Sequence, residues 1–314
     1  MASDTSPAQR PRPAFHEGER ALHEAYGLAE KMAQVGQRAI RPAIKPDDVQ
    51  FFPRCPFLVF GLRDDAGRPW ATMLSGPPGW VTLPDPAHVI VGAVPAMGDP
   101  AGSGFAAGAP VGTLAIDFET ANRARANGYI KRIDPDAFEI AVDEAYGNCP
   151  KYIRQRHLIT SDAPVDPPAR RPAIRNTAPD ATVRSTIESA DTFFIATGHA
   201  EYGLDVSHRG GAPGFCRFDG DASFVFPDYR GNFFFNTLGN LVTDPRAGLC
   251  FFGPQSGDLL QLTGRMQIAW QPPDDAPVGA ERMWRFVVER WSLRPAALPL
   301  RFEDGALSPY LPKA

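Results

Sequence analysis

Cysteine is scarce in this sequence of 314 residues: Cys55, Cys149, Cys216 and Cys250 stand far apart, with no C-x-x-C and no His partner at metal-ligand spacing. That excludes a disulfide framework, a zinc ribbon and an iron–sulfur module within the chain, and no metal is expected. Long apolar runs are missing too, since none approaches the roughly 20 residues that a membrane helix needs. The opening MASDTSPAQRPRPA lacks the apolar core of a secretory signal. These absences predict a cytoplasmic protein with reduced thiols and no membrane contact. Positive charge is in deficit as well, with a net charge of −4 and a pI near 5.9, so nucleic acid is not an expected partner. What the chain has in quantity is Pro, 33 residues, and Gly, 29, which fits a loop-rich β architecture better than a helical one. Its length allows two domains, each with a core of its own.

Between Asp205 and Pro245 three apolar runs, Val206, Phe224-Val225-Phe226 and Phe233-Phe234-Phe235, are separated by Gly, Pro and Asp, which predicts three strands. Anion-friendly groups are set among them. Ser207, His208 and Arg209 lie on one strand, and Thr237-Leu238-Gly239-Asn240 opens a short helix that Asp244-Pro245 stops. A helix start offers free N–H groups and a positive dipole end, and an arginine offers a fork of donors, so the combination suits a phosphate. Alternation puts His208 on the strand face opposite Ser207 and Arg209. The blander readings are a surface ion pair for Arg209, a helix cap for Thr237 and Asn240, a structural role for His208, and a plain turn at Asp228, Tyr229 and Asn232.

Three segments in order, SHRGGAPGF, FPDYRGN and NTLGNLVTDPRAGLCFF, resemble the pyridoxamine 5'-phosphate oxidase-like family of flavin-binding split barrels, over roughly Ala178 to Trp270. The resemblance implies a mainly β fold, a six-stranded antiparallel Greek-key barrel, a non-covalent FMN, and a flavin site completed by a second barrel. It implies Val206, Ser207, His208, Arg209, Asn232, Thr237, Leu238, Gly239 and Asn240 as cofactor-binding residues. It extends weakly to Asn148-Cys149-Pro150-Lys151-Tyr152-Ile153, read as a turn entering a short helix, where Lys151 and Tyr152 would reach the flavin or its substrate. The alternative there is a helix cap at Asn148 and a solvated Lys151. Haem and a deazaflavin are the other cofactors the family suggests. The longer basic pattern of the family's own oxidase is absent where Leu238-Gly239-Asn240 stands, so vitamin B6 oxidation is not the expected activity.

A second barrel is legible in the same chain. GRPWATMLSGPPGWVTL can be laid on YGLDVSHRGGAPGFCRF without a gap, so that Gly76 falls on Gly211, an offset of 135 residues (211 − 76). Val111-Gly112-Thr113-Leu114 then falls on Ala247-Gly248-Leu249-Cys250, and Asn127-Gly128 on Thr263-Gly264. A near-constant offset over that distance argues for duplication and predicts two tandem split barrels forming a pseudo-dimer. The expected division is a disordered tail at 1–13, a first barrel at 14–160, a Pro-rich linker at 161–175 and a second barrel at 176–314. The copies differ at the phosphate cradle: Leu74 faces Arg209, Met73 faces His208, and a Gly/Ala loop between Pro95 and Pro110 replaces the TLGN helix. The first barrel would then supply the partner surface, or serve only as scaffold.

Elsewhere Leu22, Tyr26, Ala29, Met32 and Ala33 recur at helical spacing from Phe15 to about Val35, with an interruption near Gly27. Asp180 reads as a helix cap. Ala280, Trp284, Val287, Val288 and Trp291 predict a last helix from Asp274. Gly102-Ser103-Gly104-Phe105-Ala106-Ala107 mimics a dinucleotide fingerprint but has no βαβ unit around it. The expected function is an FMN-dependent oxidoreductase acting on a small molecule. Its electrons would come from free NAD(P)H or a separate reductase, and no catalytic acid or base is assigned. A non-catalytic flavin- or haem-binding store or sensor is the alternative, and a homodimer of the tandem chain is open.

Overall fold

Two antiparallel sheets dominate the computed structural model, which describes residues 13–159 and 172–312. Residues 1–12 of the expected tail and most of the expected linker lie outside those residues. Ahead of the first sheet come α1 (Glu17–Ala25), α2 (Ala29–Ala39) and α3 (Pro46–Val49). The sheet itself holds β1 (Phe57–Arg63), β2 (Pro69–Ser75), β3 (Val81–Asp85), β4 (His88–Val91), β5 (Pro110–Asp117), β6 (Asn122–Ile133) and β7 (Phe138–Gly147), and β8 (Arg156–Leu158) follows it. The second half opens with β9 (Ile174–Asn176) and α4 (Ala181–Ser189), which Asp180 caps through the Val183 N–H. Then come β10 (Thr192–His199), β11 (Gly203–Gly210), β12 (Arg217–Phe218), β13 (Ser223–Tyr229), α5 (Asn236–Thr243), β14 (Arg246–Phe252), β15 (Leu259–Ala269), β16 (Ala280–Arg294) and β17 (Phe302–Asp304).

The first sheet runs β2-β1-β5-β6-β7-β4-β3 and the second β11-β10-β14-β15-β16-β13-β12, with β9 beside β16. Matched strand for strand in chain order, these are one topology: a split β-barrel twice in tandem, with seven strands on each path where six were expected. The register repeats as well. Val59 pairs with Met73 and Leu114, and Phe194 pairs with His208 and Cys250. Ile116 opposite Arg123 and Leu114 opposite Arg125 match Phe252 opposite Leu259 and Cys250 opposite Gln261. Even the ladder's irregularity recurs, as a bulge at Asn127/Gly128 and another at Thr263/Gly264. Gly79 and Gly214 share a φ of 86°, in turns where the Trp80 N–H reaches Pro77 O and the Phe215 N–H reaches Ala212 O. That shared need for a left-handed glycine is why the turn stayed recognisable in both copies.

Each half fills its own barrel, and alternation sends other residues of the same strands into a third cluster between the halves. Leu58 and Phe60 point into the first core, while Phe57 and Val59 join Met73, Phe194, Val206 and Cys250 in the shared one. Two glycines permit this apposition. A Cβ at Gly112 would lie 2.9 Å from the Asp205 Cα, and one at its counterpart Gly248 would lie 2.4 Å from Pro69 O. Bare backbone therefore lets β5 lie on β11 and β14 on β2. Past the barrels, β8 and β17 pair with each other, Arg156 opposite Asp304, His157 opposite Glu303 and Leu158 opposite Phe302. The displacement that carries Val142 onto Val288 carries His157 onto Glu303, so this ribbon crosses the two-fold pseudo-axis at its own centre.

Three local expectations are corrected. Phe233-Phe234-Phe235 is no strand: Phe233 and Phe235 are left-handed, with φ of 63° and 61°, and lead into α5. The expected last helix is strand β16. Trp284, Phe286 and Val288 alternate inward on it, and a bulge then shifts the phase so that Trp291 is buried next, which imitates helical spacing. No helix forms at 148–153; β7 ends at Gly147 and the chain turns, with Tyr152 at a φ of 67°. The N-terminal helix breaks at Gly27, φ 66°, into α1 and α2.

Although α1 precedes the first half, it packs on the second. Leu22 belongs to the second core, and a Cβ on Gly18 would lie 2.4 Å from Gly239 O. His16 caps the helix: its Nδ1 accepts from the Gly18 N–H at 3.1 Å, and Glu19 accepts from the His16 N–H at 2.9 Å. The His16 ring stacks on His199 at 4.4 Å, and His16, Glu17 and His199 bring ligand-type atoms within 4.8 Å of one another. Chemistry argues against a metal there. His199 Nδ1 accepts from the Glu201 and Tyr202 N–H groups, so each ring has already committed its Nδ1 lone pair to the backbone. Burial first, and then His199, holds His16 down to about 4, with Glu17 and Asn240 opposing and Arg20 adding slightly. A histidine depressed on folding leaves the unfolded chain binding more protons, so stability is intact above pH 6.5 and declines as pH falls toward 4. The decline due to this group is expected to reach up to about 3 kcal/mol. Denaturant midpoints across that window should fall for the wild type and stay flatter for His16→Asn, which keeps a capping oxygen.

Candidate functional site

The halves meet in an open pocket lined by Arg123, Arg125, Asn148, Cys149, Lys151 and Tyr152 from the first, and by residues of β11, the 228–238 segment and the start of β16 from the second. Alternation on β6 puts Arg123 and Arg125 on one face, directed at the second half. Arg125 is 5% exposed and pairs with Asp205 at 3.0 Å. It also donates to Tyr146 Oη at 3.1 Å, to Asn236 Oδ1 at 2.8 Å and to Ser207 Oγ, which lies 2.8 Å from Thr237 Oγ1. One first-half side chain thus ties β11 to the start of α5. Burial opposes its charge, but Asp205 and Tyr146 raise it above the ordinary guanidinium value.

Arg123 and Arg209 are differently placed. Arg123 Nε donates to Cys149 O at 2.7 Å, and Arg209 Nη1 to His208 O at 3.2 Å; among the described residues neither pairs with a carboxylate. Burial, and then Arg125 and Arg209, depress Arg123 to about 9. Arg209 stands 5.0 Å over the Trp284 ring with its Nε enclosed and unpartnered, and burial lowers it too, against the pull of Asp228. Asp228 is already committed to Arg282, whose other arm meets Oη of Tyr26, the residue that ends α1. At the start of α5, Phe235 provides no side-chain cap, so the first N–H groups of the helix are left for another acceptor. Three non-glycine residues of the wall, Tyr152, Phe233 and Phe235, are left-handed, a strain of order 1 kcal/mol each that concentrates at functional sites. His23 Nε2 bonds Phe233 O at 2.8 Å and braces that loop.

His208 lies 3% exposed, edge-on to Phe194 at 5.9 Å, and among the described residues neither ring nitrogen has a partner. Burial first, then Arg123, Arg156 and Arg209, hold the ring neutral, well below the ordinary histidine value. The tandem repeat makes the electrostatics informative. Ladder counterparts of Arg123, Arg125 and Arg209 are Leu259, Gln261 and Leu74, so a symmetric scaffold carries a one-sided cluster of cations. That arrangement suits an anion bearing more than one charge.

Of the residues expected from sequence, Ser207, His208, Arg209, Asn232, Thr237, Leu238, Lys151 and Tyr152 line this pocket together. Three do not. Val206 is enclosed in the core between the halves, Gly239 is covered by Glu19 of α1, and Asn240 donates to Thr197 Oγ1 at 3.1 Å beneath the helix. Lys151 Nζ stands 6.0 Å over the Tyr310 ring at the mouth. Sequence reading missed Arg123, Arg125 and Arg282. The signal for the first two was present, since the comparison of copies that singled out Arg209 also sets NRARANG against an apolar and amide pair.

No protein-family model matches the chain, and no curated protein matches it. Among solved structures it is similar to HupZ from Group A Streptococcus, at 11% identity over 36% of this chain and 91% of that one, TM-score 0.29. A FAD-binding protein from Mesorhizobium loti matches at 13% identity over 40% of this chain and 98% of that one, TM-score 0.28. An F420 reductase matches at 15% identity over 38% of this chain and 94% of that one, TM-score 0.24. No helix among the described residues is long and apolar enough to cross a membrane.

Proposed function

We propose that the pocket between the halves binds FMN by its 5'-phosphate and that the protein is a flavin-dependent oxidoreductase acting on a small molecule. One observation carries the reading: Arg123 and Arg209, two cations without carboxylate partners among the described residues, converge where both halves meet the uncapped start of α5. A phosphate monoester carries close to two negative charges at neutral pH and accepts several hydrogen bonds, so it offsets both guanidiniums and takes the free N–H groups. A single phosphodiester, as in a deazaflavin, bears one charge and offsets two guanidiniums less well than the monoester of FMN does. Bound there, the flavin supplies hydride or electron exchange, while the protein holds and tunes it. Arg123 and Arg209 grip the anion, Ser207 and Thr237 shape its cradle, and Arg125 fixes that cradle from the other half. His208, ringed by guanidiniums, stays neutral and is no source of a proton. Free NAD(P)H or a separate reductase supplies electrons. Both walls of the site come from one chain, so binding needs no second copy.

The full chain, freshly purified or reconstituted, is expected to show paired absorption bands in the near-ultraviolet and blue that NAD(P)H bleaches and air restores. A protein that takes up no FMN at micromolar concentration overturns the reading. A flavin spectrum that no pyridine nucleotide or reductase bleaches marks a flavin store instead.

A further inference from the structure

One hollow of the scaffold is filled by the chain itself on one side of the pseudo-axis and open on the other. On the filled side Asn127, Glu144, Tyr146 and Asp205 wall a space that α1 enters with His16 and Glu19, leaving about 20 Å³. Glu19 is 4% exposed there, and its carboxyl accepts from the His16 N–H and from Asn236 Nδ2 at 2.8 Å. The ladders give the matching positions. Asn127 opposite Glu144 repeats as Thr263 opposite Arg290, and Arg125 opposite Tyr146 as Gln261 opposite Ser292. No counterpart of α1 is among the described residues that wall the matching pocket, and about 360 Å³ lies open between β16, β9 and the turn Pro100–Gly104.

The polar groups of this open pocket are unequally satisfied. Asp64 is compensated by Arg68 at 2.7 Å, and Asp99 by Arg294 at 2.7 Å. That leaves Arg175 and Arg290, which pair with no carboxylate among the described residues. Alternation puts Arg290 and Ser292 on one face of β16, and Arg175 lies directly across from Ser292 on β9, so both arginines start beside the same hydroxyl. Ser292 is 1% exposed, and its Oγ has no partner among the described residues. A buried hydroxyl so placed awaits a ligand or water. Arg290 also stands where the filled side carries Glu144, so the sign of the charge reverses along with the occupancy.

We propose that this pocket is a second ligand site, separate from the one at α5, and that it takes a small dicarboxylate. Ser292 donates to one carboxylate, and Arg175 and Arg290 offset the two charges. The Glu19 carboxyl in the matching hollow shows that a space of this shape admits such a group. The inference does not rest on the flavin reading, since none of these residues lines the α5 pocket.

Calorimetric titration of the full-length protein with succinate, at fixed ionic strength and with and without excess FMN, tests it. The wild type is expected to bind one succinate per chain with a dissociation constant of about 1 mM, whether or not FMN is present. Arg290→Glu, which copies the charge of the filled side, should abolish that binding, and Ser292→Ala should weaken it about tenfold. Both variants should keep the melting temperature and the FMN affinity of the wild type, because neither loses a partner within the protein. No heat from succinate up to about 20 mM, binding untouched by Arg290→Glu, or binding that FMN abolishes each overturns the proposal and leaves the flavin reading standing. Inorganic phosphate bound more tightly than succinate would overturn the dicarboxylate assignment.

Discussion

Arg209→Ala should weaken FMN binding by about 30-fold, whereas Leu74→Ala, at the matching position of the other half, should change it by less than about twofold. The size follows from the kind of bond lost, since a hydrogen bond to a charged group contributes about 2 kcal/mol when partly shielded from water. Among the described residues Arg209 has no carboxylate partner to lose, so the ligand-free variant should be as stable as its parent. That separates a binding role from a structural one. Arg123→Ala should behave alike, and Arg209→Lys should recover little, because the guanidinium over Trp284 offers a planar fork of donors that an ammonium lacks. Fluorescence titration of the free flavin gives the constants directly. Equal affinities for the Arg209 and Leu74 variants would remove the phosphate assignment.

Asp205→Ala should lower stability by about 3–5 kcal/mol, the typical cost of stranding one member of an enclosed ion pair. Its carboxylate is 5% exposed and compensates Arg125 across the boundary between the halves at 3.0 Å. Without it the guanidinium keeps Tyr146, Asn236 and Ser207, all neutral, and the melting temperature should fall by roughly 8 °C. Removing both charges is a different experiment. Arg125→Leu with Asp205→Leu should recover most of the loss, because two apolar side chains replace a pair whose desolvation consumed most of its attraction. A double variant no better than Asp205→Ala would mean that Arg125 stabilises through its neutral hydrogen bonds alone.

Much of this architecture was legible in the residues. Turn glycines and short aromatic runs located β11 and β13, and the repeated Gly-x-Pro-Gly-aromatic turn exposed the tandem barrel because a left-handed glycine leaves a mark that packing does not erase. What failed did so for local reasons. A bulge on β16 respaced its buried residues into a helical rhythm, and no periodicity argument sees a bulge. Phe233-Phe234-Phe235 has a strand's composition, yet its fold is dictated by α1, through His23, from far away in sequence. For the pocket, motif reading found the β11 and α5 residues but placed Gly239 and Asn240 on the ligand side, when α1 covers one and Thr197 holds the other. The opposite wall, on β6, bears no motif. Only unequal charge between copies betrays it.

The ribbon of β8 and β17 has a consequence of its own. At its midpoint His157 faces Glu303, equivalent positions of the two halves, so either half alone has nothing of its own to pair with there. Cut between its halves, the chain should give fragments that recover their structure by complementing each other, neither of them complete alone.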